Sequence, residues 1–418
     1  MLIGSTFVQV GATRDGLDAY LDAAHRRGMT AVLVETPDYL RWRSALGRRP
    51  YDIGIAVDQP ANTDALVAAL RDLPAPALIL AGFERYVASA YGAADILGSR
   101  PSGQSPQFQA PYKLGQRSAV SQTCAQIRQP RHATVTALGD LQAATAGLAF
   151  PVVVKPDNGG GGLGVYVAYE AANLAAIRTV LESVRNYDGG PFSGWIAEEY
   201  VPGVELSVQA VARDGKAIIL TTCEKLTAVE AEPNGVGSFR ESGHVARPGA
   251  EADPSLLSFV EACLGAVGYR TGPFHIDLIQ TPDGELVLLE MGFRLSGMRV
   301  SELVTAVSGL DWAEEAFAAH LGTAHNGATA RSAASYAGQL TLRQPSEVQA
   351  AQALPSAGGT RVDLQLFTAP SLPDEWDDVL PVTLRSDIGR HSGAMGRVVV
   401  SGDNPRTVTE VLHRCRMP

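Results

Sequence analysis

A run of glycines, Asp157-Asn-Gly-Gly-Gly-Gly-Leu-Gly164, follows directly on a strand-like stretch that ends Val153-Val-Lys155. Consecutive glycines let a backbone approach a polyphosphate closely, with N–H groups turned toward its oxygens. Lys155, at the strand end, could bring a positive charge to the same phosphates. A flexible hairpin turn is the plain alternative. The run is neither GxGxxG nor the GxxxxGK(S/T) P-loop, and a strand rather than a helix follows it.

Two carboxylates stand on paired strand-like segments: Asp277 in Phe274-His-Ile-Asp277 and Glu290 in Leu288-Leu-Glu-Met291. The turn Thr281-Pro-Asp-Gly284 between them allows the two to face one another on adjacent strands. Such a pair suits Mg²⁺, which takes one or two carboxylates beside phosphate oxygens and water. Arg294 comes four residues after Glu290, where it could neutralise a transferring phosphoryl group or simply pair with Glu290. Glu241 and His244, in Phe239-Arg-Glu-Ser-Gly-His244, read as a carboxylate and an imidazole in a polar loop. Together they could recognise an ammonium group and relay its proton, or be loop residues without chemistry.

The elements that must position these groups are legible as patterns. Over the first hundred residues, strand-like runs (Leu2–Val10, Ala31–Glu35, Ile53–Val57, Ala77–Leu80) alternate with helical spacing, as at Leu17, Tyr20, Leu21 and Ala24. That alternation predicts a parallel sheet. A Gly-, Pro-, Ser- and Gln-rich stretch, Gly98–Pro111, predicts a linker or surface loop. Beyond it we expect a helix to about Gln126 and strands at Ala133–Val135, Phe150–Lys155 and Val165–Tyr169. Trp195–Thr222 reads as two antiparallel strands around Asp214-Gly215, and Ala231–Gly243 as a polar interruption. A helix over Leu256–Val267 and two strands then lead to helices around Arg299–Val307 and Trp312–Leu321. The last eighty or so residues carry short strands and a terminal helix.

The 418-residue chain holds 34 Lys plus Arg against 44 Asp plus Glu, a formal charge of −10. That balance argues against a nucleic-acid coat or a binder of anionic membranes. The arginines at 26, 27, 41, 43, 48 and 49 cluster, but without interleaved aromatics they read as a solvated helix face. Four scattered cysteines without CxxC spacing indicate a reduced, intracellular protein with no zinc module. Neither a signal peptide nor a run long enough to span a bilayer is recognisable, so the expectation is a cytoplasmic protein. Gly11 and Gly16, separated by four residues, do not make the GxGxxG of a dehydrogenase.

Five stretches, in order, resemble the ATP-grasp superfamily of carboxylate–amine ligases over roughly residues 110 to 325. They are Tyr112-Lys113; Val153-Val-Lys-Pro156 with the glycine loop; Ala197-Glu-Glu-Tyr-Val-Pro-Gly-Val-Glu205; His275-Ile-Asp277; and Glu290-Met-Gly-Phe-Arg-Leu-Ser-Gly297. The resemblance implies an α/β chain, α+β in the grasp lobes, with a Rossmann-like N-terminal domain and a C-terminal lobe. The expected domains are 1–105, 106–190, 191–330 and 331–418. Lys113 and Lys155 would bind the nucleotide under the loop glycines Gly160, Gly161 and Gly162. Glu198, Glu199 and Val201 would form the adenine-reading hinge, with Glu205 on the ribose hydroxyls. Asp277 and Glu290 would hold magnesium, and Arg294 would stabilise an acyl phosphate. One departure stands out: the family's Glu-x-Asn has Gly292 in the Asn position, so water or another side chain would complete the second magnesium.

Glu224-Lys225, the Glu241/His244 pair and Pro248 resemble the bacilysin-type ligases that join two amino acids. The implied activity is ATP- and Mg²⁺-dependent joining of a small carboxylate, activated as an acyl phosphate, to an amine. The alternatives are an ATP-grasp carboxylase or formate-dependent transformylase, and a non-catalytic nucleotide-binding regulator. Expected partners are small-molecule carboxylates and amines, with neither nucleic acid nor membrane, and with room for a homodimer.

Overall fold

A computed structural model describes residues 5–13, 17–45, 47–101, 104–105, 108, 112–160, 162–185, 191–192, 194–231, 236–323, 335–354, 359–367 and 394–416. The N-terminal part is a four-stranded parallel sheet in the order β3-β2-β1-β4, where β1 is Thr6–Val10, β2 Thr30–Glu35, β3 Ile53–Ala56 and β4 Leu78–Ala81. β1 and β4 are buried along their whole length, as their unbroken apolar runs require of a parallel sheet covered on both faces.

A second, twelve-stranded sheet carries the candidate site. Its main path runs β13-β12-β9-β10-β11-β7-β6-β8-β5. In chain order these are β5 His132–Val135, β6 Val152–Pro156, β7 Tyr166–Ala168, β8 Trp195–Glu199, β9 Val204–Arg213, β10 Lys216–Ala231, β11 Gly237–Pro248, β12 Gly272–Gln280 and β13 Leu286–Gly292. β14 (Tyr336–Leu342), β15 (Arg361–Leu366) and β16 (Gly396–Gly402) extend it beside β11. The expected α/β architecture is therefore present, with a parallel sheet beside a large antiparallel one. A single apolar cluster links Val8, Val10 and Ile79 of the first sheet to Val208, Ala210, Phe274 and Ile276 of the second. The end of β4 is thereby held beside the β12–β13 hairpin.

Two expectations need correcting. Trp195–Thr222 contains three strands, because β8 ends at Glu199 before the β9–β10 hairpin turns at Asp214-Gly215. Ala231–Gly243 is no polar interruption: β10 reaches Ala231 and β11 starts at Gly237, paired along eleven positions as a long arm. Along the arm Phe239 and Glu241 share the face of Lys225, while Arg240, ion-paired with Glu230, lies on the opposite, exposed face. Of the clustered arginines, Arg26, Arg41, Arg48 and Arg49 are exposed as expected, while Arg43 is buried, and several carry ion pairs. Arg26 binds Asp311 and Glu314, Arg27 binds Glu314, Arg43 binds Asp18 and Arg49 binds Asp22. Within the stretch read as a linker, Phe108 is anchored against Tyr91, Tyr269 and Phe293, each ring centroid 5.2 Å away. Among the described residues no helix is long and apolar enough to cross a membrane, and the four cysteines are unpaired.

Candidate functional site

Side chains directly opposite across a strand pair point to the same face of the sheet. Asp277 of β12 lies opposite both Glu290 of β13 and Ser207 of β9. Ser207 lies opposite Cys223 of β10, and Lys225, two residues further along β10, lies opposite His244 of β11. One face of five neighbouring strands thus collects Glu290, Asp277, Ser207, Lys225 and His244. The turn at residues 281–284 brings Asp277 and Glu290 into register, as the sequence leads one to expect.

Glu241 and His244 reach that face by an irregularity. Three residues apart in a regular strand, they would point to opposite sides. Thr227 pairs with Glu241 and Leu226 with Gly243, so Ser242 is an extra residue, a β-bulge that resets the alternation. The Ser242 hydroxyl donates to the Leu226 carbonyl at 2.7 Å, securing the bulge. The pair therefore sits in a strand rather than a loop, with His244 Nε2 3.1 Å from Glu241 Oε1.

At the centre stands Lys225. Its Nζ lies 2.7 Å from Glu205, 2.8 Å from Glu241 and 2.8 Å from Asp277. Burial alone would lower the lysine's pKa, but the three carboxylates hold it well above the usual lysine range. Burial would raise Glu241, yet Lys225 and His244 bring it down to about 2. Asp277 is held well below its ordinary value against the same penalty by Lys225 and His275, and accepts a 2.6 Å hydrogen bond from the Ser207 hydroxyl. Glu205 goes the other way: burial, reinforced by Asp277 and Glu241, raises it despite Lys225.

A second ion-paired group lies beside the glycine loop. Lys113 Nζ, at the start of the helix Lys113–Thr123, is 2.8 Å from Glu290 and donates to the Gly159 carbonyl at 2.7 Å. Lys155 Nζ, on β6, is 2.6 Å from Glu198 of β8. Arg117 binds the other Glu198 oxygen at 2.6 Å and donates to the Leu288 and Leu289 carbonyls of β13. Burial raises the Glu198 carboxyl, but Arg117 and Lys155 lower it to about 2. Burial, with Arg117 and Lys113, lowers Lys155 although Glu198 opposes it. Glu290 is held below its usual range, with Lys113 and Lys155 outweighing burial.

The remaining expected residues fall nearby. The Glu199 carboxylate binds Arg131, and Val201 is buried just past β8. Gly160 and Gly162 belong to the loop between β6 and β7, whereas Gly161 lies outside the described residues. Arg294 does not pair with Glu290. Its Nε lies 3.1 Å from Glu84 Oε2, at the end of the N-terminal sheet, and its Nη1 donates to the Leu295 carbonyl.

A family model described as an ATP-grasp domain matches residues 148–302. The chain carries an ATP-grasp domain. Over 193 residues it is 31% identical to the D-alanine–D-alanine ligase of Gloeobacter violaceus, an alignment covering 43% of this chain and 57% of that protein. Over 148 residues it is 25% identical to dapdiamide A synthase of Enterobacter agglomerans, covering 35% of this chain and 34% of that protein. The matched segment thus spans little more than half the length of the first relative and about a third of the second. Among solved structures, the L-amino acid ligase from Bacillus licheniformis superposes with a TM-score of 0.66 at 17% identity, covering 99% of this chain and 97% of that one. The carboxyaminoimidazole ribonucleotide synthase of Aspergillus clavatus, solved with ATP, gives 0.68 at 13% identity, with the same coverage of both chains. At these identities the likeness concerns the fold: the chain has the ATP-grasp fold over nearly its whole length.

Within this ATP-grasp face, the donor set fits magnesium. Among the described residues no three His, Cys, Asp or Glu side chains converge to hold a metal on their own. Mg²⁺ asks for less than that, one or two carboxylates beside phosphate oxygens and water, and Asp277 and Glu290 in register supply them. Sequence reasoning did not single out four groups as site residues: Lys225, Arg117, His275 and Glu84. Lys225 and His275 lie inside stretches that carry the family resemblance. Arg117 and Glu84 carry no local signal, since their partners are 81 and 210 residues away.

Proposed function

We propose that the chain is an ATP- and Mg²⁺-dependent carboxylate–amine ligase acting on amino acids. A carboxylate oxygen of the first substrate attacks the γ-phosphorus of ATP, ADP leaves, and an acyl phosphate forms. The amine nitrogen of the second substrate attacks the acyl carbon, giving an amide and releasing phosphate that carries the original carboxylate oxygen. Lys113 and Lys155 hold the phosphates under the loop of Gly160, Gly161 and Gly162. Glu198, Glu199 and Val201 border the adenine, and Glu205 the ribose. Asp277 and Glu290 hold magnesium, which when bound neutralises phosphate charge. Arg294 faces the acyl phosphate. Glu241 and His244 take the proton that the attacking amine must lose. Residues 106–190 and 191–330 act as the two lobes that close on the nucleotide and exclude water from the intermediate. This reading places the protein in the cytoplasm with small-molecule partners.

The observation that carries this reading is the Glu241–His244 pair, joined through Lys225 to Asp277 on one sheet face. A carboxylate–imidazole pair able to take up an amine's proton thus lies beside one of the carboxylates proposed to hold magnesium. The similarity to a D-alanine–D-alanine ligase supports the same reading. The test is phosphate release from ATP and Mg²⁺ across single and paired amino acids, with the product masses measured. Release that requires a pair and yields a condensed mass is expected. Release driven by bicarbonate or formate, with amino acids inert, would sink the reading.

A further inference from the structure

Met298 and Arg299, four and five residues past Arg294, hold their backbones in the left-handed region, at φ +55° and +58°. Among the described residues only one other non-glycine, Asp214 in the β9–β10 turn, does so. A side chain crowds the following carbonyl in that conformation, which glycine adopts freely. The pair forms the corner at which the chain, having left β13 through Arg294, enters the helix Val300–Ser308. Strain of this kind persists only where surrounding groups over-determine the backbone, and it gathers at functional sites.

The last part of the chain supplies those groups. Gln339 of β14 lies directly opposite His244 of β11, so the site face continues onto β14. Its side chain is buried, and its Nε2 donates to the Met298 carbonyl at 2.6 Å. Arg299 Nε donates to Glu302 at 3.1 Å, and the same carboxylate binds the buried Arg397 of β16. β14 and β16 pair along seven positions, so both braces stand on one strand pair. Leu295, before the corner, is buried in the same apolar cluster as Val300, Leu303, Ala246 and Ala337. The segment that carries Arg294 is thus fixed at both ends, by β13 before it and by the braced corner after it.

We propose that Gln339 is a positioning residue of the ligase: by holding the Met298 carbonyl it keeps the left-handed corner in place and, through it, keeps Arg294 set toward the acyl phosphate. The inference rests on the ligase reading, in which Arg294 faces that intermediate. Gln339 acts through the corner rather than on the substrate. Its neighbours are the imidazole that takes the amine's proton and the turn behind the arginine, so one side chain holds the two in register. An apolar side chain of the same length would fill the space but let the corner relax toward negative φ, carrying the backbone of Arg294 with it.

The test is a double-mutant cycle between Gln339→Met and Met298→Gly, read in amino-acid-dependent phosphate release from ATP. Gln339→Met keeps length and burial and removes the donor. It should lower kcat by about 10- to 100-fold and leave the KM for ATP within about twofold, because a misplaced transition-state group costs rate rather than nucleotide binding. Met298→Gly frees the left-handed conformation of strain, so in that background the same step should cost at least about threefold less. An unchanged kcat in Gln339→Met refutes the proposal while the ligase stands. An equal loss in both backgrounds also refutes it, since the glutamine would then act other than by holding the corner. If no amino acid raises ATP turnover in the wild-type protein, the ligase reading falls and the catalytic role with it. The hold on the corner is then read from urea midpoints: Gln339→Met should lower the midpoint less in the Met298→Gly background, and equal shifts overturn it.

Discussion

Two polar clusters adjoin on the same sheet face, two residues apart along β9, β12 and β13, and they are held together differently. Around Lys225, Lys113 and Lys155 each charge meets a counter-charge at 2.6–2.8 Å. Around Gly292 the pairing is looser: Glu84 Oε2 stands 3.1 Å from Arg294 Nε and Asp277 Oδ1 3.8 Å from His275 Nδ1, neither aligned as a hydrogen bond. The first cluster is complete in the protein alone, so its charges are fixed in place ahead of any ligand. The second is held more loosely and leaves buried polar atoms of Gln209, His275 and Ser296 without hydrogen bonds, at a cost in stability. A fixed, matched array suits a nucleotide and metal that every turnover shares.

The comparison is broken most severely on its paired side. Glu198→Gln leaves Arg117 and Lys155 buried without their shared carboxylate. We expect a loss of about 3–5 kcal/mol of unfolding free energy, read from urea titration. A loss below about 1 kcal/mol would mean that this cluster is not held by its charges.

Acid should attack the same cluster more gradually. The native pKa of Glu198 and of Glu241 is about 2, against 4.5 for an unperturbed glutamate. Between those values the unfolded chain binds protons that the native chain refuses. Stability is therefore fully present above about pH 4.5 and falls as pH drops toward 2, by about 1 kcal/mol per pH unit for each carboxylate. His320, buried and lowered to about 3 by desolvation with Arg100 adding to it, acts with the same sign from its ordinary 6.5 downward. Thermal melts from pH 7 to pH 3 check the slope, and a flat profile would contradict it.

The looser side should respond least. His275→Leu removes a buried imidazole that makes no well-aligned hydrogen bond and stands 3.8 Å from Asp277, so its cost is expected to be about 1 kcal/mol, below that of Glu198→Gln. A loss as large as that of Glu198→Gln would erase the distinction between the two clusters.

The sequence makes some of this legible and hides the rest for physical reasons. Asp277 and Glu290 can be paired on paper because a short turn joins their strands, and local register follows from turn geometry. The parallel sheet is legible because unbroken apolar runs need two covered faces. Glu241 and His244 look like loop residues because their common direction depends on the bulge at Ser242, which no alternation rule predicts. Arg117 and Glu84 are invisible from local pattern, since each meets its partner only after the sheets pack. Gly292 shows as a departure from the family's Glu-x-Asn, but its reason, the approach of His275 and Glu84, is purely tertiary.

The most direct test of the account is the fate of the substrate's carboxylate oxygen. An amino acid labelled with oxygen-18 in its carboxylate should, during turnover with ATP, transfer one labelled oxygen to the released phosphate, with ADP as the other nucleotide product. Unlabelled phosphate, or AMP with pyrophosphate in place of ADP, would contradict acyl-phosphate chemistry at this site.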